Sequence, residues 1–598
     1  MATWALARMN MILHGHATAD LWRGNTLSDP HFKEPGGGLK RFDFAVANPP
    51  FSAKAWTNGV NTANDEFHRF DLGVPPAKNG DYAFLLHLIT SLKSNGKGAI
   101  ILPHGVLFRG HKEADIRRNL IQRGLIKGIV GLPPNLFYGT GIPACIVVVD
   151  KENASVRTGI FMIDASKSYI KDGNKNRLRE QDIHKIVDVF NRQLEVPRYS
   201  RMVSVSEIAS SANDYSLNIP RYIDSSEPED LHDLHAHLCG GIPNHDLDAL
   251  ESYWSVFPSL RAELFESNGR AAYSQARVES RLVKGAILRN PEFAAYSKDV
   301  AAVFHSWRQV HGPMLKALKA GVKPKAVIRA LSEDLLERFA SLPLVDKYDA
   351  YQRLMDYWAE TMQDDVFLIG SEGWLEAAKP RSAFENKERK IRETPDLIVE
   401  GKKYKMDLIP PTLIVARYFA KEQADVSALE VNRGAAEREL EEFVEENTDD
   451  EGLLEDAKTD KGGVTKASVS DRLKEIENEK DSDDEKRVLT RCMELIETET
   501  AAAREVKEAQ AELDGKVLAQ YAGLSETEIK TLVADDKWFV SISTAVEGEV
   551  QRLTQQLATR VTELEERYAR PMSQLEREVN ALGSKVETHL KRLGVVWG

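Results

Sequence analysis

The chain has 598 residues, of which 42% are hydrophobic and 29% charged, a balance that fits globular domains and excludes collagenous or wholly disordered classes. It has three scattered cysteines, no apolar run of membrane-spanning length and no secretory signal, so disulfide-rich, membrane and secreted classes are excluded and a cytoplasmic protein is expected. The net charge of −13 is uneven, because residues 1–224 carry 28 basic and 21 acidic side chains, which leaves −20 for the rest.

Residues 1–225 alternate short apolar runs with amphipathic segments. A short strand is predicted at Ala19–Gly24, and five runs have the length and β-branched content of buried strands: Phe42–Ala47, Gly98–Leu102, Leu125–Leu132, Ile142–Val149 and Gly159–Ile163. Helical spacing occurs between them at Tyr82–Leu92 and Glu113–Arg123. This alternation predicts an α/β domain with a mostly parallel sheet, helices on both faces and ligands at the carboxyl ends of the strands.

The remaining residues have mainly helical spacing. They are predicted to form a mainly helical domain over 226–428, with a strand pair or loop near Asp396–Leu413. Residues 429–483 are predicted to form an acidic and polar flexible segment, because residues 430–460 alone hold 13 acidic and 3 basic side chains. Residues 484–598 are predicted to be a helical region that binds a partner.

The last helical stretch has a regular apolar stripe. From Val546 to Leu593 its apolar residues recur in steps of three, four and once seven, which is the spacing of a coiled-coil seam. Pro571 interrupts the stripe and predicts a kink or a hairpin bend. The stripe favours pairing with another chain, and a helix packed in a bundle is the alternative.

The tetrapeptide Asn48-Pro49-Pro50-Phe51 directly follows a predicted strand. Its two prolines make a stiff turn without backbone donors, so the carbonyl of Pro49 is free to accept a hydrogen bond. The Asn48 side-chain oxygen is a second acceptor, and Phe51 offers an aromatic face. This set suits a planar substrate with an amino group, because two acceptors take both N–H bonds and leave the nitrogen lone pair to attack an electrophilic carbon in line.

This tetrapeptide is the motif of amino-methyltransferases that use S-adenosylmethionine, and the chain closely resembles the modification (methyltransferase) subunit of type I restriction-modification systems. The resemblance is best over residues 1–225 and rests on an ordered set of segments: Thr3–Gly15, Gly24–Leu27, Phe42–Phe51, Gly80–Arg109, Leu132–Lys151, Tyr215–Asp224 and His237–Pro243. It implies a Rossmann-like S-adenosylmethionine-dependent domain followed by a mainly helical region with a long coiled-coil-like helix. The implied reaction is methylation of the exocyclic amine of adenine in DNA.

The resemblance also assigns site residues. Asn48, Pro49 and Phe51 match the motif that holds an adenine extruded from the duplex. Gly24 and Asn25 match the position that contacts the adenine of the cofactor, although an acidic residue is common there in related enzymes. Phe137 and Tyr138, in a glycine-rich loop, resemble the residues that cover the other face of the target base; simple loop packing is the alternative for this pair.

Part of the cofactor site implied by the resemblance does not match any segment of the sequence. A glycine-rich loop for the methionine end of the cofactor and an acidic residue for its ribose are implied upstream of Thr3. Gly36-Gly37-Gly38 lies in a polar insertion and does not replace that loop. The chain is therefore expected to be truncated at its N-terminus, and a non-catalytic assembly subunit is one alternative. Methylation of RNA or of a protein glutamine is the other, because the same tetrapeptide could serve those reactions.

The resemblance implies duplex DNA, a specificity subunit that selects the target, a restriction subunit and a second copy of the chain as partners, and no membrane. The apolar stripe Val546–Leu593 is the predicted contact with the specificity subunit. A cluster of residue types that could bind zinc comprises His232, His235, His237, Cys239 and His245. Their spacing on a short helix splays the side chains, and the resemblance runs through this segment without a metal, so no metal site is expected.

Overall fold

The computed structural model describes residues 2–226, 230–386, 391–448, 452–459, 462–477 and 482–594. Contacts divide the chain into two compact units, Met1–Leu234 (unit 1) and His235–Gly598 (unit 2). The predicted domain limits at residues 225, 428 and 483 stay predictions, because the contacts divide the chain only once.

Unit 1 is an α/β unit built on a six-stranded sheet. Its strands are β1 (Phe42–Ala47), β2 (Leu92–Pro103), β3 (Ile126–Gly131), β4 (Ala144–Asp150), β5 (Gly159–Asp164), β6 (Ile170–Asp172), β7 (Lys175–Arg177) and β8 (Ser200–Ser204). Its helices are α1 (Ala2–Leu13), α2 (Asp81–Thr90), α3 (Lys112–Gln122), α4 (Glu180–Arg192) and α5 (Val205–Ile208). The order in the large sheet is β1-β2-β4-β3-β5-β8, and β6 pairs with β7 in a separate hairpin.

The five apolar runs and the two helices predicted between them are confirmed, but the prediction of a mostly parallel sheet is wrong. Only β1 with β2 and β3 with β5 run parallel, whereas β2 with β4, β3 with β4, and β5 with β8 run antiparallel. The connection from β3 to β4 contains no helix, and a parallel neighbour needs a longer crossover, usually helical. Residues 19–24 are not in a strand either.

Two apolar clusters lie on opposite faces of the sheet, as consecutive strand residues do. Ile129 belongs to the cluster that includes residues of α2 and α3, and the adjacent Val130 belongs to the cluster that includes residues of α4. Helix α2 lies so close to β2 that a Cβ on Gly98 would be 2.6 Å from Leu88 Cδ2. Helices therefore cover both faces, as predicted.

Strand β1 differs from the buried strand that its composition predicts. It lies at the edge of the sheet, and the side chains of Phe44 and Val46 are 76% and 84% exposed. The apolar cluster with α4 contains buried residues of β3 and β5 but none of β1. The apolar character of β1 therefore reflects a sheet face that nothing in the described part of the chain covers.

Unit 2 is mainly helical. Its helices are α6 (Leu234–Cys239), α7 (Asn244–Asp248), α8 (Glu251–Trp254), α9 (Pro258–Leu264), α10 (Ser280–Arg289), α11 (Pro291–Lys316), α12 (Pro324–Phe339), α13 (Lys347–Tyr357), α14 (Gln363–Glu372), α15 (Trp374–Ala377), α16 (Pro411–Tyr418), α17 (Ala420–Glu446), α18 (Lys466–Glu475), α19 (Asp483–Gly523), α20 (Glu526–Lys530), α21 (Val540–Tyr568) and α22 (Met572–Arg592). Its short strands are β9 (Ile242–Pro243), β10 (Phe265–Ser267), β11 (Tyr273–Ala276), β12 (Arg381–Ser382), β13 (Glu385–Asn386), β14 (Ile391–Arg392), β15 (Leu397–Val399) and β16 (Lys402–Lys405). The antiparallel pair of β15 and β16 confirms the strand pair predicted near Asp396–Leu413. No described helix is long and apolar enough to cross a bilayer.

The apolar stripe near the C-terminus divides into two helices with different surroundings. Helix α21 packs against α10 and α13, and its stripe from Val546 to Leu564 is buried in the core of unit 2. Pairing of this part with another chain is therefore a wrong prediction. Pro571 ends the continuity, as predicted, and α22 begins directly after it with no buried residue.

The described part of the acidic segment is more regular than predicted. Residues 430–446 continue α17, which packs along α19. A small core holds α18 and α19 together through buried apolar side chains: Leu454, Ala457, Val469, Ile476, Leu489, Cys492 and Ile496. The predicted flexible segment is thus largely helical; its residues 449–451, 460–461 and 478–481 lie outside the described residues.

We expect unit 1 to lose stability in mild acid through His87. Its Nδ1 lies 3.4 Å from Nη1 of Arg69, and burial together with this positive charge lowers the pKa of His87 from 6.5 to about 4. The unfolded chain binds a proton on His87 more readily than the folded chain does. The part of the free energy of unfolding that depends on the neutral ring is therefore fully present above pH 6.5 and is lost as the pH falls towards about 4. The total effect is up to roughly 3 kcal/mol.

The measurement is the melting temperature of the chain at a series of pH values. We expect His87→Gln to flatten the decline on the acid side, whereas His14→Gln, at an exposed position, keeps it. An unchanged decline in the His87→Gln variant would contradict this assignment.

Candidate functional site

The Asn48–Phe51 turn follows β1 at the carboxyl edge of its parallel pair with β2. Asn48 is exposed, while Pro49 and Phe51 are half-buried. Within the described part of the chain, neither the Asn48 side chain nor the Pro49 carbonyl takes part in a hydrogen bond. Both predicted acceptors are therefore available to a ligand at this edge.

Asp81, a buried residue at the start of α2, holds the backbone that directly follows the turn. The backbone N–H of Ser52 donates to Asp81 Oδ1 at 2.7 Å, and Arg109 Nη2 donates to Asp81 Oδ2 at 3.0 Å. The Asp81 side chain is 1% exposed. Ser52 has a φ of 51°, which a non-glycine residue adopts at a cost, so the bond from its N–H helps to hold an unfavourable backbone conformation.

Two further contacts make this anchor rigid. The N–H of Gly80 donates to the carbonyl of Ala53 at 3.1 Å, and a Cβ on Gly80 would lie 2.7 Å from Trp56 Cβ. Because a Cβ at position 80 would clash with Trp56, only glycine fits there. On the other side of the anchor, Arg109 Nη1 also donates to Glu113 Oε1 at 3.1 Å, and burial raises the pKa of Glu113.

The Asp81 anchor was missed from the sequence. Its only signal is an acidic residue after a glycine at the start of a predicted helix, a pattern that ordinarily indicates a helix N-terminus. The contact partner, Ser52, is distant in sequence, so no local pattern predicts it.

The aromatic residues of the predicted site come together in part. The rings of Phe51 and Phe137 meet edge to face, with centroids 5.8 Å apart and an interplanar angle of 77°. Phe137 is half-buried, whereas Tyr138 is 95% exposed. The structure therefore places Phe137 against the turn and leaves Tyr138 in solvent.

The loop that carries Phe137 connects β3 and β4 and is held by the β6–β7 hairpin. Lys175 Nζ donates to the carbonyls of Phe137 and Thr140, at 2.8 and 3.2 Å. Asn176 Nδ2 donates to the carbonyl of Pro134 at 2.6 Å. At the other end of the loop, the His104 N–H donates to the Pro143 carbonyl at 2.9 Å, and burial lowers the pKa of the His104 ring.

Gly24 and Asn25 do not join this group. Asn25 Oδ1 accepts from the backbone N–H groups of Leu27 and Ser28, at 3.0 and 3.4 Å, so its acceptor is used in a local turn. No hydrogen bond or ring contact among the described residues links either residue to the Asn48–Phe51 turn. The turn thus has two acceptors and an aromatic ring close together at the carboxyl edge of β1, whereas the Asn25 side-chain oxygen accepts within its own turn.

The cluster of possible zinc ligands is open. Cys239 Sγ lies 4.0 Å from His235 Nε2, and both residues are exposed. In the residues that the structure covers, no three His, Cys, Asp or Glu side chains are grouped closely enough to hold a metal ion.

Comparison with known proteins shows what the first part of the chain is similar to. Residues 1–231 match the family model described as N-6 DNA Methylase. A type I restriction enzyme HindI methylase subunit from Haemophilus influenzae is 34% identical over 234 residues, which cover 38% of this chain and 51% of the relative. The MpnII methylase subunit from Mycoplasma pneumoniae is 31% identical over 255 residues, which cover 42% of this chain and 45% of the relative.

The type I restriction-modification methyltransferase subunit from Streptococcus thermophilus is 37% identical, over 38% of this chain and 46% of that chain, with a TM-score of 0.32. The chain spans about half the length of the curated relatives it matches. Over the matched residues, the resemblance to methyltransferase subunits of type I systems is confirmed.

We expect Asp81→Ala to loosen the Asn48–Phe51 turn. The substitution takes away the acceptor of the Ser52 N–H and one of the two carboxylate partners of Arg109, which costs about 2 kcal/mol. A loss of about 2 kcal/mol corresponds to roughly 30-fold faster local opening. Amide hydrogen exchange of peptides that cover residues 48–57 measures the rate of this local opening.

Asp115→Ala is the matched control, because Asp115 is an exposed carboxylate on α3. We expect its exchange profile at residues 48–57 to equal that of the unchanged protein. Equal profiles for the two variants would show that Asp81 does not hold the turn.

Proposed function

We propose that the chain is the modification subunit of a type I restriction-modification complex and methylates the exocyclic amine of adenine in duplex DNA. The observation that carries this proposal is the pair of unused acceptors on Asn48 and Pro49 beside the Phe51 ring, at the carboxyl edge of β1. In this proposal unit 1 is a Rossmann-like methyltransferase domain. The similarity of residues 1–231 to N-6 DNA methylases supports it.

The chain's own residues bind and orient the base. An adenine extruded from the duplex costs a few kcal/mol of unstacking, which stacking on Phe51 and two hydrogen bonds offset. Asn48 Oδ1 and the Pro49 carbonyl accept the two N–H bonds of the amine, and Pro50 stiffens the turn. The nitrogen lone pair is then directed in line for attack, and the proton leaves late through Asn48 or water.

Phe137 controls access to this position. Its ring lies edge to face with the Phe51 ring, with centroids 5.8 Å apart, so in this proposal a base stacks between the two rings after the β3–β4 loop moves outward. Tyr138 is in solvent and is available to cover the base after such a movement.

The methyl donor in this proposal is S-adenosylmethionine, which supplies an electrophilic methyl group. Gly24 and Asn25 are its candidate contacts, but the Asn25 acceptor is already used within its own turn. We derive no step through the cofactor from these residues. This mismatch is the observation that favours the second candidate function, a non-catalytic assembly subunit.

The proposal includes the partners that a modification subunit needs. They are duplex DNA, a specificity subunit that selects the target, a restriction subunit and a second copy of the chain, all in the cytoplasm, where three free cysteines stay reduced. We assign the contact with the specificity subunit to α22, because its apolar stripe is exposed: Leu575, Val579, Leu582 and Val586.

The first test is transfer of a labelled methyl group from S-adenosylmethionine to unmethylated genomic DNA, with RNA and protein extracts as parallel substrates. We expect label in the adenine of duplex DNA and a loss of at least about 100-fold in Asn48→Ala, because a misplaced amine reacts far more slowly. Asn58→Ala, at an exposed position beyond the turn, is the control that keeps activity.

The other outcomes identify the alternatives. Label in RNA or in protein glutamine would indicate the other amino-methyltransferase classes. No label, together with no heat of S-adenosylmethionine binding in calorimetry, would indicate the assembly subunit.

The second test concerns α22. We expect Leu582→Glu with Val586→Glu to abolish co-purification with the specificity subunit of the same system. The two charges would lie in the apolar surface that is proposed to contact that subunit. Asn580→Glu with Ser584→Glu adds the same charge elsewhere on the helix and is expected to leave binding intact. Equal binding by both double variants would overturn the assignment of α22.

A further inference from the structure

The β6–β7 hairpin projects cations next to the candidate site. Residues 167–177 contain four basic side chains and one acidic side chain. Lys167, Lys171 and Arg177 are exposed, and Lys175 is half-buried because it binds the β3–β4 loop. The hairpin is therefore a basic surface at a fixed position beside Phe137.

Within the described residues, the hydrogen bonds that attach the hairpin to the β3–β4 loop all come from β7. An isolated two-stranded hairpin is marginally stable on its own, and this one is held by bonds from Lys175 Nζ and Asn176 Nδ2 to loop carbonyls. Asn176 is 3% exposed, so the β7 side is packed. The exposed cations Lys171 and Arg177 are left on the outer surface.

The two outer cations of the hairpin have exposed neighbours. Arg177 Nε lies 3.3 Å from Asp172 Oδ2, with both side chains more than half exposed. Such exposed pairs contribute little and are readily exchanged for another anion. Lys171 Nζ lies 5.7 Å from the centre of the Tyr169 ring, which positions the ammonium group without changing its charge.

We propose that the β6–β7 hairpin binds the sugar-phosphate backbone of duplex DNA beside the extruded base, through Lys171 and Arg177. This inference rests on the proposed function, which supplies the duplex. A two-stranded β-ribbon has a width that the major groove admits, and cations on its surface then meet phosphates at the groove wall. The bonds from the hairpin to the β3–β4 loop fix the distance between this contact and Phe137.

The test measures the affinity for a random-sequence DNA duplex by fluorescence anisotropy over a range of salt concentrations. Each phosphate contact contributes about 0.9 to the slope of log affinity against log salt. We expect Lys171→Gln with Arg177→Gln to weaken binding about tenfold at low salt and to reduce this slope by about 2.

The matched control is Lys40→Gln with Lys93→Gln. Both lysines are exposed and lie near the starts of the parallel strands β1 and β2, whereas Asn48 follows the end of β1. This control removes the same charge from unit 1, so a loss of affinity caused by net charge alone would be equal in both double variants. Circular dichroism melts of both double variants verify that they fold.

Each outcome decides the inference. The hairpin proposal is overturned if the hairpin variant keeps its slope and affinity, or if its loss equals that of the control. Labelled methyl transfer by the unchanged protein would then still leave the proposed function intact. Tighter competition by an RNA duplex or by polyglutamate than by DNA would overturn the assignment to DNA. If the unchanged protein binds no duplex at any salt concentration, the proposed function fails as well.

Discussion

The arrangement of the candidate site depends on one buried carboxylate. Asp81 accepts from the Ser52 N–H on one side and from Arg109 on the other, and so links the residue after the Asn48–Phe51 turn to the start of α2. The Asp81 side chain is almost fully buried, so without these two donors it would be a buried charge without a partner, which is costly. By holding the backbone next to the turn, this link fixes where the acceptors of Asn48 and Pro49 lie.

The turn is also in contact with the β3–β4 loop. The β3–β4 loop places Phe137 against Phe51, and the loop is itself held by Lys175 and Asn176 of a hairpin that follows later in the chain. A rigid inner anchor and a loop attached by a few polar contacts suit a site that must stay fixed on one side and admit a planar ligand on the other.

Local patterns predicted the elements, and long-range contacts determined what the patterns could not predict. The strands after residue 42 and helices α2 and α3 follow from apolar runs and periodicity, and the turn at Asn48–Phe51 from its prolines. Strand direction did not follow, because it depends on how β4 inserts between β2 and β3. The roles of Asp81 and Lys175 depend on residues distant in sequence, and periodicity does not say whether an apolar stripe such as that of α21 meets its own core or another chain.

Pro571 separates two helices in which the same kind of substitution has different costs. A substitution in the buried stripe of α21 opens a cavity in the core, at a cost of about 2–5 kcal/mol for a large aliphatic side chain, so selection for folding limits what can change there. The stripe of α22 has no buried residue in the described chain, and its substitutions leave the fold unaffected. A substitution in the stripe of α22 therefore changes the exposed surface of the helix without opening a core cavity, whereas one in the stripe of α21 reduces the stability of unit 2.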